Sequence, residues 1–512
     1  MTLYQFLKRK GLRPLPGILF AAALALPLSG CMDTDELVAV EDPEQLRPED
    51  LNNIGAVPAL VNGALRQFVG GYVGFADDAF LSASSVITDE TYYGDSFTTR
   101  EAADKRTLQA PVLTNITDAA FSRLQQARFN ARRAFAVVEQ FTTNQTAAAD
   151  SLARAQLRNI EGLVYVTLSE GWCGAVPFSR LPDVGAIDPT AVEEGTPLNT
   201  AQMNDTAVAR FNDALTFAPT FAATAGPTSA TALPRRLASL GKARALLNLG
   251  KYAEAAAAVP ASVVPTTFVF RLEQSSNTST QSNSVFQLQG NGRYGVSNLE
   301  GGSIRADTAS PPLTSTGAEG LPYRALNDPR VPWQGRPVTG NSCFSALTCW
   351  MNQNYPTNDS DVPLASGVEA RLIEAEAQLF AGDAAGMMTT LNALRANAAA
   401  LITVLYPDQR RSFGTVVPTA PVELAPLTDP GTAEGRRNLL FQERALWLYQ
   451  TGHRQGDLRR LVRQYGLPSN TVFPSGTHFR GGSYGNDVAY PVPFDEGNNT
   501  LYNPSACVTT QA

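Results

Sequence analysis

Apolar residues recur every three or four positions in four separate blocks of the chain. Phe121, Leu124, Arg128, Ala131, Phe135 and Val138 make the first stripe, and Leu157, Ile160, Val164 and Leu168 continue it beyond a polar break at 142–146. A second block carries Met203, Ala207, Phe211 and Leu215, then Leu237, Leu240, Ala243 and Leu247. The third has Val368, Leu372, Ala375 and Leu379, then Met387, Leu391, Leu394 and Ala398; the fourth has Leu440, Glu443, Leu446, Leu458 and Leu461. This spacing predicts amphipathic helices with one buried stripe each. The short breaks predict antiparallel helix pairs near 118–171, 201–259, 366–403 and 434–466.

Two turns have tetratricopeptide grammar: Leu249-Gly250-Lys251-Tyr252-Ala253 and Phe380-Ala381-Gly382-Asp383. One such pair cannot bury its stripe alone, whereas stacked pairs can. Between the pairs the pattern is lost. Residues 72–99, 261–360 and 466–505 are rich in Ser, Thr, Asn, Gly and Pro, with β-like runs at 267–270 and 285–288. A structureless loop of that length is implausible in a compact domain. The expected fold is therefore mostly α: about four tetratricopeptide-like helix pairs forming a scaffold, capped by an irregular, loop-rich segment with a few short strands.

Composition narrows the chemistry. Two His in 512 residues, at 453 and 478, exclude a three-His metal site, and HExxH, GxxxxGK[ST] and strand-borne GxGxxG patterns are absent. Without the first 30 residues the balance is 36 basic against 47 acidic residues, which opposes nucleic acid as a partner. No cofactor is expected.

The N-terminus reads as an address. Lys8-Arg9-Lys10 and Arg13 precede an apolar stretch from Ile18 to Leu28, then Leu28-Ser29-Gly30-Cys31. Basic, apolar and small-residue segments in that order make a secretory signal. Cys31 directly after Leu-Ser-Gly looks like a bacterial lipobox, whose Cys is lipidated and becomes the new N-terminus. The alternatives are an ordinary signal peptide or a short membrane helix. The expected layout is a cleaved leader over 1–30, a lipidated tether over 31–45 and one domain over 46–512. Export makes disulfides possible, and Cys173, Cys343, Cys349 and Cys507 allow three pairings. Cys343 with Cys349, which enclose five residues, is the expected bridge, which leaves Cys173 with Cys507 as the second.

Taken together, these strings resemble the SusD/RagB family of outer-membrane nutrient-binding lipoproteins. The matching strings, in order, are Ala59–Ala64, Ala127-Arg128-Phe129-Asn130, Trp172-Cys173-Gly174-Ala175-Val176-Pro177 and Tyr323–Arg330. Arg371–Ala377, Leu391–Arg395, Glu443-Arg444, Gly452–Arg460 and Tyr490-Pro491-Val492-Pro493 follow. Cys173 is a departure beside the Gly-x-Val-Pro turn. The resemblance implies a surface-exposed, lipid-anchored, non-enzymatic protein that binds an oligosaccharide or peptide. It also implies a SusC/RagA-type TonB-dependent transporter as partner, with helices facing the barrel and the irregular part, near 72–99 and 261–360, holding ligand.

Sugar binding needs flat aromatic faces with amides nearby. The candidates are Tyr92 and Tyr93, then Trp333, Trp350 and Tyr355 with Asn352; the bland reading is that they pack the cap onto the helices. Asp77-Asp78 and Asp89-Glu90 lack the geometry of a glycosidase pair, because neighbours on a strand point oppositely. Asn358, Asp359 and Asp361 make no EF-hand. Arg454 and Asp457, at i and i+3, are expected to bridge, with Glu443 and Arg444 near them; His453 is expected to pack there and His478 to sit in a loop without an evident partner. Competing readings are a helical-repeat scaffold for envelope assembly that binds no nutrient, and a surface glycosidase.

Overall fold

The computed structural model describes residues 54–75, 78–108, 115–141, 147–179, 193–220, 226, 229–298, 321–337 and 348–512. The leader, the tether and Cys31 lie outside the described residues. So does Cys343, and only the backbone of Cys349 is described.

The first third holds α1 (Val57–Tyr72), α2 (Phe80–Ile87), α3 (Thr98–Asp104), α4 (Asp118–Phe141) and α5 (Ala147–Gly171). The middle holds α6 (Thr200–Phe217), α7 (Leu233–Asn248), α8 (Tyr252–Ala258), α9 (Ser284–Gly290) and α10 (Tyr323–Leu326). The last third holds α11 (Gly367–Phe380), α12 (Ala384–Ala396), α13 (Ala398–Leu405), α14 (Ala433–Trp447), α15 (Arg454–Arg463) and α16 (Ser469–Val472). Neighbours stack in a continuous series: α1 on α4, α4 on α5, α5 on α6, α6 on α7, then α8 between α7 and α11, with α12 and α14 on α11.

Local chemistry sets the helix ends. Asn199 opens α6 with a reciprocal capping box, its side chain accepting from the Gln202 amide at 2.9 Å while Gln202 Oε1 accepts from the Asn199 amide at 2.9 Å. Asp383 caps α12 by accepting from Gly386 N at 2.8 Å. Gly250 (φ +73°) and Gly382 (φ +77°) take the left-handed conformation that ends α7 and α11, at the two turns with tetratricopeptide grammar. Packing between the pairs is tight. A Cβ on Gly162 of α5 or Gly241 of α7 would fall 2.7 or 2.3 Å from the Phe211 ring of α6, so both glycines make room for it.

Several charges buried between the helices are matched. Arg244 of α7 binds Glu369 of α11 through two bonds of 2.7 and 2.8 Å, and His453 Nε2 lies 3.2 Å from the same carboxylate. Asp457 does not pair with Arg454, as the i, i+3 spacing suggested. It accepts instead from Arg444 of α14 at 2.7 and 2.8 Å and from Arg460 at 3.0 Å, while Arg460 also reaches Glu376 at 2.8 Å. Arg454 donates to the Phe441 carbonyl at 3.4 Å. Glu443 takes a separate set, Arg330 at 2.6 Å and Arg395 at 2.7 Å.

The irregular segments supply three two-stranded antiparallel sheets. These are β1 (Thr91–Tyr93) with β3 (Tyr294–Val296), β2 (Val269–Leu272) with β6 (Val362–Ser366), and β4 (Trp333–Pro337) with β5 (Thr348–Asn352). Two stretches differ from the sequence reading. The run 285–288 is not a strand but part of α9, because Asn283 accepts from Phe286 N at 3.0 Å and starts a helix. Within 72–99, the segment 80–87 is helical and buried on every side, so it shows no alternation of apolar and polar positions.

The C-terminal segment returns across the scaffold. Tyr490 N donates to Gly171 O at 2.8 Å and Cys173 N to Tyr490 O at 2.9 Å, which brings Cys507 to Cys173 in a disulfide with Cα atoms 5.1 Å apart. His478 does have a partner: its Nε2 lies 3.1 Å from Asp104 of α3. No helix among the described residues is long and apolar enough to cross a membrane.

Candidate functional site

Beside the main core lies a smaller apolar cluster built from the cap: Tyr92, Val296, Tyr323, Val331, Trp350, Leu446 and Tyr449, with Trp333 and Phe479 packed against it. Six separate stretches converge here, and three of the sequence-predicted aromatics, Tyr92, Trp333 and Trp350, are among them. Register explains the meeting. In the β4–β5 pair Trp333 stands opposite Asn352 and Gly335 opposite Trp350, so the two indoles lie on neighbouring positions and meet edge to face, centroids 5.1 Å apart.

Arg324, just inside α10, lies over both rings, 4.8 Å from Trp350 and 5.9 Å from Trp333. Its carbonyl accepts from Trp333 Nε1 at 3.2 Å. Trp350 is 8 % exposed and its Nε1 has no hydrogen-bond partner. Trp333 is half-buried and backed by the loop at 412–416, whose Gly414 donates to its carbonyl at 2.9 Å. The next residues of that loop, Val416 and Val417, are exposed at 63 % and 69 %.

Tyr92 is buried flat against β3, where a Cβ on Gly295 would meet its ring at 2.5 Å. The remaining predicted residues are buried supports. Tyr93 packs on Tyr294 at 5.7 Å, and its hydroxyl accepts from Phe97 N at 2.6 Å. Asn352 and Tyr355 both hold Gln450, a residue with positive φ (+49°) just after α14. Asn352 Nδ2 donates to its side-chain oxygen at 2.7 Å and the Tyr355 hydroxyl to its carbonyl at 2.9 Å.

Gln450 in turn ties the cap to a buried acid. Its amide donates to Glu90 Oε1 at 3.0 Å, Ser85 Oγ donates to Oε2 at 3.1 Å, and the Tyr449 hydroxyl donates to the Glu90 carbonyl at 2.9 Å. Burial pushes the Glu90 carboxyl up to about 7, against the smaller opposing pull of these bonds and of Arg454. The residues that sequence reasoning missed are Tyr323, Arg324, Tyr449 and Phe479. Tyr323-Arg324 stood in a string matching the family but carried no aromatic pair of its own. Tyr449 lies beyond a helix end, where periodicity stops.

No family model matches the sequence, and no curated protein does. Solved structures do match. A SusD/RagB family protein from Bacteroides thetaiotaomicron superposes with a TM-score of 0.56 at 12 % identity, over 86 % of this chain and 94 % of that one. Surface glycan-binding protein A from Bacteroides uniformis gives 0.55 at 13 % identity, over 90 % and 99 %. A laminarin-binding SusD-like protein gives 0.53 at 14 %, over 88 % and 98 %. The chain has the SusD/RagB fold.

Proposed function

We propose that the protein is a carbohydrate-binding lipoprotein of the outer-membrane surface, anchored through Cys31, that passes ligand to a SusC/RagA-type TonB-dependent transporter and does no chemistry on it. One observation carries the reading. A half-buried indole, Trp333, is held edge to face by Trp350 and beneath Arg324, beside the exposed Val416 and Val417. The cluster is separate from the core that stabilises the helices. A rigid aromatic ring with an apolar rim suits the C–H face of a pyranose. The fold shared with a surface glycan-binding protein and a laminarin-binding protein supports a sugar over a peptide.

Native affinity electrophoresis through a panel of neutral and acidic polysaccharides tests this. The wild-type chain is expected to be retarded by at least one polymer, and Trp333→Ala to weaken that retardation about tenfold or more. Unchanged mobility on every polymer would point to peptide cargo or to the scaffold reading. Palmitate labelling lost in Cys31→Ala tests the anchor, and a barrel transporter co-purified in mild detergent tests the partner.

A further inference from the structure

On the scaffold, away from the aromatic cluster and sharing no residue with it, is a cavity of about 490 Å³ between the start of α6, the end of α7, helix α15 and the C-terminal segment. Two guanidinium groups line it, Arg459 and Arg463, one turn apart on α15. Arg459 is 1 % exposed. Its Nη1 donates to the carbonyls of Ser169, Glu170 and Trp172 at 2.8, 2.9 and 3.0 Å, while its Nε has no hydrogen-bond partner. Arg463 makes one long bond, 3.5 Å, to the Asn248 carbonyl.

Buried Arg244, Arg330, Arg444 and Arg460 each have a carboxylate; buried Arg459 and part-buried Arg463 do not. No described carboxylate, side-chain or terminal, lies within the 4.0 Å of an ion pair from either group. The nearest acid in electrostatic effect is Glu170, whose Oε1 already accepts from Asn248 Nδ2 at 2.8 Å. The end of α5 compensates Arg459 by roughly half a charge, and Arg463 is left with little. Burial, with Arg463 nearby, pulls Arg459 down to about 9; burial, with Arg460 nearby, pulls Arg463 down to about 10.

The remaining wall is mixed: Gln511 and Ala512 of the C-terminal segment line it, and so does the start of α6. Thr200 and Ala201, the first two residues of α6, line the cavity, and the capping box of Asn199 occupies the Gln202 amide but not theirs. The negative end of α7 is covered, since Gln464 Nε2 donates to the Leu247 and Asn248 carbonyls at 2.9 Å each. The start of an 18-residue helix and two guanidiniums without an ion-pair partner therefore line one cavity.

We infer that this cavity is an oxyanion site, holding a sulfate, phosphate or carboxylate group between the Arg459 and Arg463 guanidiniums and the first amides of α6. A free inorganic ion and an acidic saccharide both carry such a group, and the recognition is the same for both.

The test is calorimetric titration of the full chain with sodium sulfate, sodium phosphate, glucuronate and a sulfated disaccharide, each against sodium chloride at equal ionic strength. Saturable binding of at least one anion is expected, weakened about tenfold in Arg463→Gln and unchanged in the surface control Arg437→Gln. Thr200→Pro deletes one first-turn donor at a position where proline suits a helix start, and is expected to weaken binding with circular dichroism unaltered. Tighter binding of the saccharides than of inorganic ions assigns the site to a sugar; the reverse assigns it to a free ion. Responses no greater than chloride, or equal affinity in wild type and Arg463→Gln, overturn the proposal.

Discussion

The helical scaffold and the cap bury polar groups in opposite ways. Between α7, α11, α14 and α15, carboxylates sit against guanidiniums: Glu369 with Arg244, Asp457 with Arg444 and Arg460. Burial alone would raise these acids, but the paired charges win, and Asp457 is held at about 2 with Glu369 well below the usual carboxylate range. Where the cap meets the scaffold, Glu90 has only a hydroxyl and an amide, and burial wins. The same kind of side chain at the same burial thus titrates in opposite directions, and the partner decides which. The scaffold holds charge fixed, and Arg330 of the cap extends that to Glu443, whereas around Glu90 the cap joins through neutral amides and ring edges.

Breaking the scaffold's side of this contrast should have the largest effect. Asp457→Asn leaves Arg444 and Arg460 buried with only Glu376 between them, and should lower unfolding free energy by about 3–5 kcal/mol in urea titration. The charged pair should also weaken in acid. A depressed carboxyl contributes stability that is present above its unfolded value and disappears as pH falls towards about 2.

Glu90 has the opposite sign. Its raised value means that the folded protein binds the proton more tightly, so this contribution is full below the unfolded value near 4.5 and is lost as pH rises through about 7. Glu90→Gln keeps an acceptor for the Gln450 amide and abolishes the titration. Relative to wild type, it should gain about 3 kcal/mol between pH 5 and pH 8.5 in thermal or urea melts. A flat difference across that range would show that Glu90 is not held as described.

Reducing the Cys173–Cys507 bridge, or Cys507→Ala, should cost about 2–4 kcal/mol, read as a lower urea midpoint. Trp333→Ala should be the mildest of the set for folding, at about 1–2 kcal/mol, because the ring is only half-buried. That would make a loss of polysaccharide retardation attributable to the surface rather than to unfolding.

The scaffold was legible because its helices are half-buried, and a half-buried helix writes a stripe into the sequence. Segment 80–87 was not, since a helix buried all round has no stripe. Neither was α9, where one cap at Asn283 outweighed the β-like character of Val285 and Phe286. Spacing along one helix suggested Arg454 for Asp457; the true partner, Arg444, comes from the preceding helix, and no local period reports on that. The cap's aromatic cluster was half legible: Tyr92, Trp333 and Trp350 stand out by type, but their meeting depends on strand register. The disulfide followed backbone pairing of residue 172 with 490, not proximity in sequence.

The bond between Cys173 and Cys507 spans 334 positions. A protease that clips any exposed bend in that interval would leave both pieces fastened to each other. On a gel without thiol reagent, the nicked material would still migrate as a single band near the intact mass, and only dithiothreitol would reveal the fragments.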